Sequence, residues 1–147
     1  MSQQASVIVQ GSGPVTKLDY GEAAAGALGL LDELADRLNA VPLTIYCLSS
    51  DEIWEDVTSE IGEPETDEQE ALLWERHYAR AHYHPTDEAL KTLQALESFL
   101  VENEASERDR LWSQAIGFDD LLTDLRTIQR ILRDAADKDQ GFYIEVG

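Results

Sequence analysis

The sequence predicts an α+β fold, in which a mostly helical bundle packs on a small sheet formed by the N- and C-terminal strands. Short β-rich runs occur near both ends of the chain, at residues 6–11 (SVIVQG) and 141–147 (GFYIEVG). In the second run, apolar residues alternate with Tyr143 and Glu145, which is the period of a strand. Between the two runs, apolar residues recur at helical spacing. We therefore expect the two ends of the chain to pair as strands beneath the helices.

Helical spacing of apolar residues is found in four stretches, at about 20–38, 66–81, 85–101 and 118–136. Thr66 and Gln69, three residues apart, form a capping pattern at the start of the second stretch. Pro85 suits the first turn of the third stretch. Asp119 and Asp120 lie at the positive end of the fourth, where carboxylates stabilise a helix. Each stretch is therefore predicted to form a helix.

Two further stretches have no such spacing. Residues 102–110 (ENEASERDR) are rich in charged side chains, and we expect them to form a charged connector. Residues 41–50 (VPLTIYCLSS) contain Pro42 and several β-branched side chains, which argue against a helix. They fit either a buried strand or an extended connector, so residues 43–48 are a candidate third strand of the sheet.

The segment from residue 51 to residue 70 is unusually acidic. It holds ten Asp and Glu residues and no Lys or Arg, and Gly62 and Pro64 lie near its centre. Because glycine and proline interrupt helices, a helix can only flank this break. The sequence shows little apolar periodicity there. We therefore expect residues 1–147 to form a single domain with a solvated, mobile acidic segment at about 51–70.

Composition narrows the function classes. The chain of 147 residues fits one domain, and its formal net charge is −19. Such a charge repels nucleic-acid phosphate and anionic lipid, so we expect no direct nucleic-acid binding and no membrane binding. Cys47 is the single cysteine, and no signal-peptide pattern is present, which together favour a cytoplasmic protein. No cofactor motif is found, and the oligomeric state stays open.

The C-terminal half resembles a pattern in small uncharacterised bacterial proteins. The residues that carry the resemblance are HYHPTDEALKTLQALESFL and DDLLTDLRTIQRILRDAADKDQGFYIEV. In that pattern an aromatic pair, a proline at a helix start and a leucine-rich helix precede a final helix and a strand. The resemblance covers about half the chain and implies the fold only, since no activity comes with it.

The three histidines fall within residues 76–88 (RHYARAHYHPTDE). His77 and His82 are five residues apart and would lie on different sides of a helix, so they cannot share a metal there. His82 and His84 would point to the same side of an extended stretch and could hold zinc if Asp87 supplied a third ligand. Neither HExxH nor CxxC spacing is present, so we expect no metal. A structural role is favoured, in which His84 caps the helix that Pro85 opens.

A line of basic residues lies on the last predicted helix. Arg126, Arg130 and Arg133 follow the i, i+4, i+7 spacing of one helix face. Such a line can hold an anion. We expect instead a solvated face whose arginines bridge to neighbouring carboxylates such as Asp134 and Asp137.

The leading functional hypothesis is a non-catalytic, acidic protein-interaction module of the kind used by immunity proteins, inhibitors and nucleic-acid mimics. A basic protein is the expected partner. Tryptophans at the two ends of the acidic segment would anchor the contact, and the carboxylates between them would steer it. The candidate partner-binding residues are Trp54, Glu55, Asp56, Glu60, Glu63 and Trp74. The alternative is a small metal-dependent or anion-processing enzyme centred on residues 77–87, although no catalytic residue can be singled out.

Overall fold

The computed structural model describes residues 3–11, 16–19 and 22–147, and the side chains of residues 16–19, 60 and 61 lie outside that description. The described strands are β1 (Ala5–Val9), β2 (Thr16–Asp19), β3 (Cys47–Ser49) and β4 (Phe142–Val146). The described helices are α1 (Glu22–Gly26), α2 (Leu28–Arg37), α3 (Ser50–Ile61), α4 (Asp67–Arg80), α5 (Asp87–Glu102), α6 (Glu104–Trp112) and α7 (Phe118–Asp137). A short 3₁₀ helix, Leu43–Tyr46, leads into β3. The fold is α+β and mostly helical, as the sequence predicts.

The four described strands form one sheet in the order β2-β1-β4-β3. β1 pairs antiparallel with β2 and with β4, and its register with β4 places Val7 opposite Ile144. β3 adds to the other edge of β4 in parallel, with Cys47 opposite Ile144. The predicted pairing of the two chain ends is therefore confirmed. The uncertain stretch at 41–50 contributes a strand at its end, after one turn of 3₁₀ helix.

One face of the sheet carries the main core. Phe142 and Ile144 pack there with apolar side chains of α1, α2, α5 and α7. The strongest periodicity in the sequence belongs to α7, whose buried side chains include Leu121, Leu125 and Leu132. Each fully buried leucine contributes about 1.5–3 kcal/mol relative to exposure. The packing of α5 against α7, and of α7 against the sheet, thus makes a large apolar contribution to stability.

The other face of the sheet is also covered. Tyr143, which alternates with the core-facing residues of β4, is fully buried together with Ile8 of β1 and Ile53 of α3. The covering layer is the acidic hairpin, which we define as residues 50–80, comprising α3, the connection at 62–66 and α4. Gly62 ends α3 with a φ of 85°, a left-handed conformation that favours glycine. Both faces of β4 are therefore inside the protein.

The acidic segment differs from the sequence prediction in its apolar content. Helices flank the break at 62–66 as expected, but α3 contains a short inward stripe in which Ile53 is buried and Val57, four residues on, is half-buried. Two apolar positions among many carboxylates give too weak a period to stand out in the sequence. The expectation of a solvated segment at about 51–70 is therefore wrong at Ile53. The mobility of the segment stays a prediction.

The predicted connector at 102–110 is also wrong, because α6 forms there. Its inner face consists of Glu107 and Leu111, which are buried four residues apart. Arg108 of α6 reaches α7, where its guanidinium lies 2.8 Å from the carboxylate of Asp119. A single apolar residue on the inner face gives no recognisable period, so the helix becomes evident only from its neighbours.

Two helix starts also differ from the sequence prediction. The sequence predicts one helix at 20–38, but from Glu22 onwards the structure has two, α1 and α2. They are separated at Ala27, whose φ and ψ of −99° and 0° are not helical. The third predicted helix begins at Asp87 rather than Pro85, with Thr86 as its N-cap residue. Pro85 therefore precedes the helix. The reason is that His84, the residue before Pro85, pairs with Phe142 of β4 and keeps the chain extended there.

Candidate functional site

The structure brings the two candidate anchor residues together on the acidic hairpin. The indole ring of Trp54 on α3 lies 5.9 Å from that of Trp74 on α4, measured between centroids, with the planes tilted by 31°. Both side chains are half-buried. The ring of Tyr78 stacks on the indole ring of Trp74, and their centroids are also 5.9 Å apart. The hairpin thus presents a partly accessible aromatic cluster between its two helices.

Carboxylates surround this cluster. Of the predicted partner-binding residues, Glu55 and Asp56 lie on α3 and Glu63 lies in the connection, and all three are exposed. Glu60 also lies on α3, but its side chain is outside the described part of the structure. Further exposed carboxylates of the hairpin are Asp51, Glu52, Glu65, Asp67, Glu68, Glu70 and Glu75. Among the described side chains, no Lys or Arg forms an ion pair with any of these exposed groups.

Beneath the aromatic cluster, His77 connects the hairpin to the sheet. Its Nε2 atom lies 3.1 Å from the hydroxyl oxygen of Tyr143, and the two groups share a hydrogen bond. Burial lowers the pKa of His77 below its ordinary value, while the carboxylates of Glu145 and Asp56 oppose that shift. Burial also raises the pKa of Tyr143. His77 is therefore held as a neutral imidazole at neutral pH.

His82 and His84 lie side by side at the end of the hairpin. Their ring centroids are 4.7 Å apart and their planes are nearly perpendicular. The backbone of His84 pairs with that of Phe142, with its N–H donating to the Phe142 carbonyl at 2.8 Å and its carbonyl accepting at 3.0 Å. The predicted capping of α5 by His84 is therefore wrong. His84 extends the edge of β4 instead, which keeps the chain extended until Thr86.

The metal alternative receives no support from these positions. Within the described side chains, no group of three His, Cys, Asp or Glu residues is arranged to hold a metal ion. His82 and His84 are adjacent, as the sequence predicts, whereas Asp87 is the first residue of α5 and joins no such group. Burial and the neighbouring His82 both lower the pKa of His84.

A cleft opens between α3, α4 and β3, beside His77. Its volume is about 330 Å³. Its polar lining consists of Asp56, Arg76, His77, Arg80 and His82, and its apolar lining of Leu48, Val57, Leu73 and Ala81. Two arginines and two histidines thus lie around one cavity of a strongly acidic chain. The sequence shows the histidines as a cluster within residues 76–88, but it cannot place them against Leu48 and Val57, which come from other elements.

One arginine of the predicted basic line on α7, Arg126, pairs with a carboxylate of another helix. Arg126 lies 2.7 Å from Glu97 of α5, and hydrogen bonds from Arg126 and Gln129 lower the pKa of Glu97. Arg133 donates to the side chain of Gln129 at 3.2 Å. The bridge thus runs to α5 rather than to Asp134, whose carboxylate pairs with Lys138 at 3.1 Å. This arrangement ties α7 to α5.

Cys47 has no feature of a catalytic thiol. Burial and the carboxylate of Asp32 raise its pKa to about 12, so the reactive thiolate is scarce at neutral pH. The thiol lies 3.5 Å from the carbonyl oxygen of Leu43, as a weak donor within its own turn. It acts as a small packing residue at the sheet edge.

No protein-family model, no curated protein and no solved structure matches this chain. The resemblance of the C-terminal half to small bacterial proteins therefore stays a prediction. Among the described residues, no helix combines the length and the hydropathy needed to span a bilayer.

Proposed function

We propose that this protein is a non-catalytic interaction module whose acidic hairpin binds a protein with a basic surface. The observation that carries the proposal is the run of exposed carboxylates on the hairpin that have no ion-pair partner among the described side chains. Fields from such groups add, and they attract a positive surface over distances of about 10 Å at 0.1 M ionic strength. The same field repels nucleic acid, which makes a basic protein the fitting partner.

The hairpin also supplies an anchor and a helical base for its carboxylates. Trp54 and Trp74 are partly accessible, and tryptophan is the residue most enriched among those that dominate binding energy. Ile53 of α3 packs with Ile8 and Tyr143 of the sheet, and Trp74 and Tyr78 of α4 pack against the same cluster. In the folded protein a partner would therefore meet carboxylates carried by two packed helices. Immunity proteins, inhibitors and nucleic-acid mimics also bind basic partners through an acidic surface, and the analogy rests on that surface alone.

The proposed compartment is the cytoplasm, because Cys47 is a free thiol and acidic charge keeps such a protein soluble. The enzyme alternative at residues 77–87 lacks a recognisable nucleophile or metal ligand set within the described chain. The interaction module therefore ranks first.

The test is the salt dependence of association. A partner is captured from native lysate at low salt, purified, and its association rate is measured across a salt series. We expect the rate to fall steeply with salt while dissociation changes little, because exposed charges steer encounter. Replacing Glu55, Asp56, Glu60 and Glu63 with glutamine should lower the rate as high salt does, with an unchanged unfolding midpoint.

A control variant separates local field from total charge. The control replaces four exposed carboxylates outside the hairpin with amides, so it removes the same number of charges. These residues are Asp36, Glu102, Asp109 and Asp137. This control should lower the association rate much less than the hairpin variant. Equal rates for the two variants, or a rate that salt does not change, would contradict the proposal.

A further inference from the structure

We infer that the cleft between the acidic hairpin and β3 is a binding site for a small organic anion, with its oxyanion on Arg80 and its apolar body on the cleft floor. This site shares Asp56 with the outer acidic surface, but the inference does not depend on the proposed function. The cleft is lined by residues of α3 and α4, by Ala81 and His82, which follow α4, and by Leu48 of β3. Its volume of about 330 Å³ lies at the small end of the range of ligand pockets.

Charge is the first argument. The chain has 30 acidic and only 11 basic residues, yet two arginines and two histidines line this one cleft. Most described cations elsewhere lie in ion pairs, such as Arg108 with Asp119 at 2.8 Å and Arg126 with Glu97 at 2.7 Å. Arg80, by contrast, has no carboxylate partner within the described part of the chain. An uncompensated guanidinium beside a cavity is suited to a carboxylate or phosphate group.

The shape of the cleft gives the second argument. Its floor is apolar, formed by Leu73, which is buried, and by Leu48 and Val57, which are half-buried. Ligand pockets combine such an apolar lining with a few polar groups that fix orientation. Inorganic phosphate alone would leave this floor in contact with water. The chemistry that fits is therefore an oxyanion attached to an apolar body.

Two polar residues define how the ligand would lie. His77 is fixed by its hydrogen bond to Tyr143, so its ring forms a rigid side wall. Asp56 is the one carboxylate of the lining, and it is exposed at the α3 side. It repels an anion, which places the oxyanion toward Arg80 at the end of α4. Removing the Asp56 charge should therefore strengthen binding.

Tryptophan fluorescence provides the readout. The ring of Trp74 lies 6.0 Å from that of His77, whereas Trp112 is 79 % exposed and lies in a different part of the molecule. A Trp112→Phe background removes the remote signal. The probes are phenyl phosphate, benzoate and inorganic phosphate, each titrated at constant ionic strength. Phenyl phosphate against benzoate shows which oxyanion the site prefers.

We expect saturable quenching by phenyl phosphate or benzoate and weaker binding of inorganic phosphate. Arg80→Gln should weaken binding by roughly tenfold or more, because a hydrogen bond to a charged group is lost. The matched control is Arg130→Gln, which removes an exposed arginine of α7 outside the cleft and should leave affinity unchanged. Asp56→Asn should tighten binding by up to about fivefold.

Three results would overturn the inference: no saturable quenching by either aromatic probe, equal weakening by the two arginine variants, or inorganic phosphate binding as tightly as phenyl phosphate. Unfolding midpoints of all variants establish that they are folded. If Arg80→Gln does not fold, the Asp56→Asn variant tests the inference instead. Tighter binding of the aromatic probe by Asp56→Asn supports the site, and unchanged or weaker binding overturns it.

Discussion

His77 shows how a single residue of this chain takes its properties from distant neighbours. It is adjacent in sequence to charged and polar residues, but it packs edge-on against Trp74 and Tyr143, with ring centroids 6.0 Å away in each case. Its hydrogen-bond partner, Tyr143, is 66 residues further along the chain. The sequence singled out His77 as part of a cluster, but nothing in the sequence indicated a tyrosine of the last strand as its partner.

The lowered pKa of His77 predicts how this residue contributes to stability. Because the folded pKa lies below the unfolded value of about 6.5, the unfolded state binds more protons as pH falls through that value. The contribution is therefore present above about pH 6.5 and is lost toward the folded pKa. We expect His77→Gln to be less stable than wild type at neutral pH and to recover relative to it in mild acid, as measured by urea unfolding.

The direct measurement is a proton NMR titration of the imidazole signals. The signal that disappears in His77→Gln should titrate below about 6.5. Tyr143→Phe removes the hydrogen-bond partner while keeping the ring, and it should destabilise the fold by about 1–3 kcal/mol if His77 is left without compensation. A His77 signal that titrates at or above the ordinary value would contradict the burial that the structure assigns.

Gly141 is a second residue whose identity is explained only by packing. A Cβ atom built there would lie 2.8 Å from Cβ of Tyr83 and 2.9 Å from the carbonyl oxygen of His84. These distances are too short for any other residue without movement of the backbone. The sequence shows a glycine before a strand, which is common at turns. The close approach of the 83–84 segment is the actual requirement.

At the scale of elements, α7 and the acidic hairpin differ in their apolar periodicity and in how many side chains they bury. The periodicity of α7 runs through its whole length, so its existence and bounds could be predicted from the sequence, and it buries Leu121, Leu125, Ile128 and Leu132. The hairpin buries Ile53 of α3 and Leu73 of α4, with half-buried aromatic residues between them. A layer with so few buried side chains opens more easily than the core helices.

This difference predicts the first site of proteolysis. A glutamate-specific protease should cut first in the connection at 62–66, after Glu63 or Glu65, which are exposed. Ile53→Ala removes the buried contact of α3 at a cost of about 2 kcal/mol, the low end for such a change. Cleavage limited by local opening should then accelerate by up to about 30-fold, as followed by mass spectrometry of early fragments.

The matched control is Ile128→Ala on α7. It lowers the free energy of global unfolding by about 2–5 kcal/mol. It destabilises the closed form and the form with an open hairpin equally, because α7 stays packed in both. Early cleavage at 62–66 should therefore change little. First cuts within α7, or equal acceleration by both variants, would show that the hairpin does not open separately and that the prediction of a mobile acidic segment is wrong.

At the scale of the whole molecule, the C-terminal strand holds the layers together. β4 lies between β1 and β3 in the sheet, and its two faces contact the main core and the acidic hairpin. Phe142 and Tyr143 are both completely buried. Loss of this strand would expose two apolar clusters at once, so the stability of every layer depends on it.

Deletion of residues 142–147 should therefore unfold the protein. Burial of Phe142, Tyr143 and Ile144 contributes about 1.5–3 kcal/mol each, a sum comparable with the total stability of a domain of this size. Circular dichroism and urea unfolding give the measurement. Deletion of Gly147 alone is the control and should cost far less, since it removes two backbone hydrogen bonds with Gln4 but no buried side chain. A truncated protein with an unchanged unfolding midpoint would contradict the central role of β4.

The sequence by itself determined the fold class, the pairing of the two chain ends, the positions of α5 and α7, and the acidic character of residues 51–70. These features follow from period and charge, which are local properties of the chain. Tertiary structure alone decided that α3 and α6 form, that His84 pairs with Phe142, and that both faces of β4 are buried. Each of these depends on contacts between residues far apart in sequence, where one or two buried side chains outweigh a polar local pattern. For the same reason the cleft at Arg80 and Leu48 became evident only once β3 and the acidic hairpin were placed side by side.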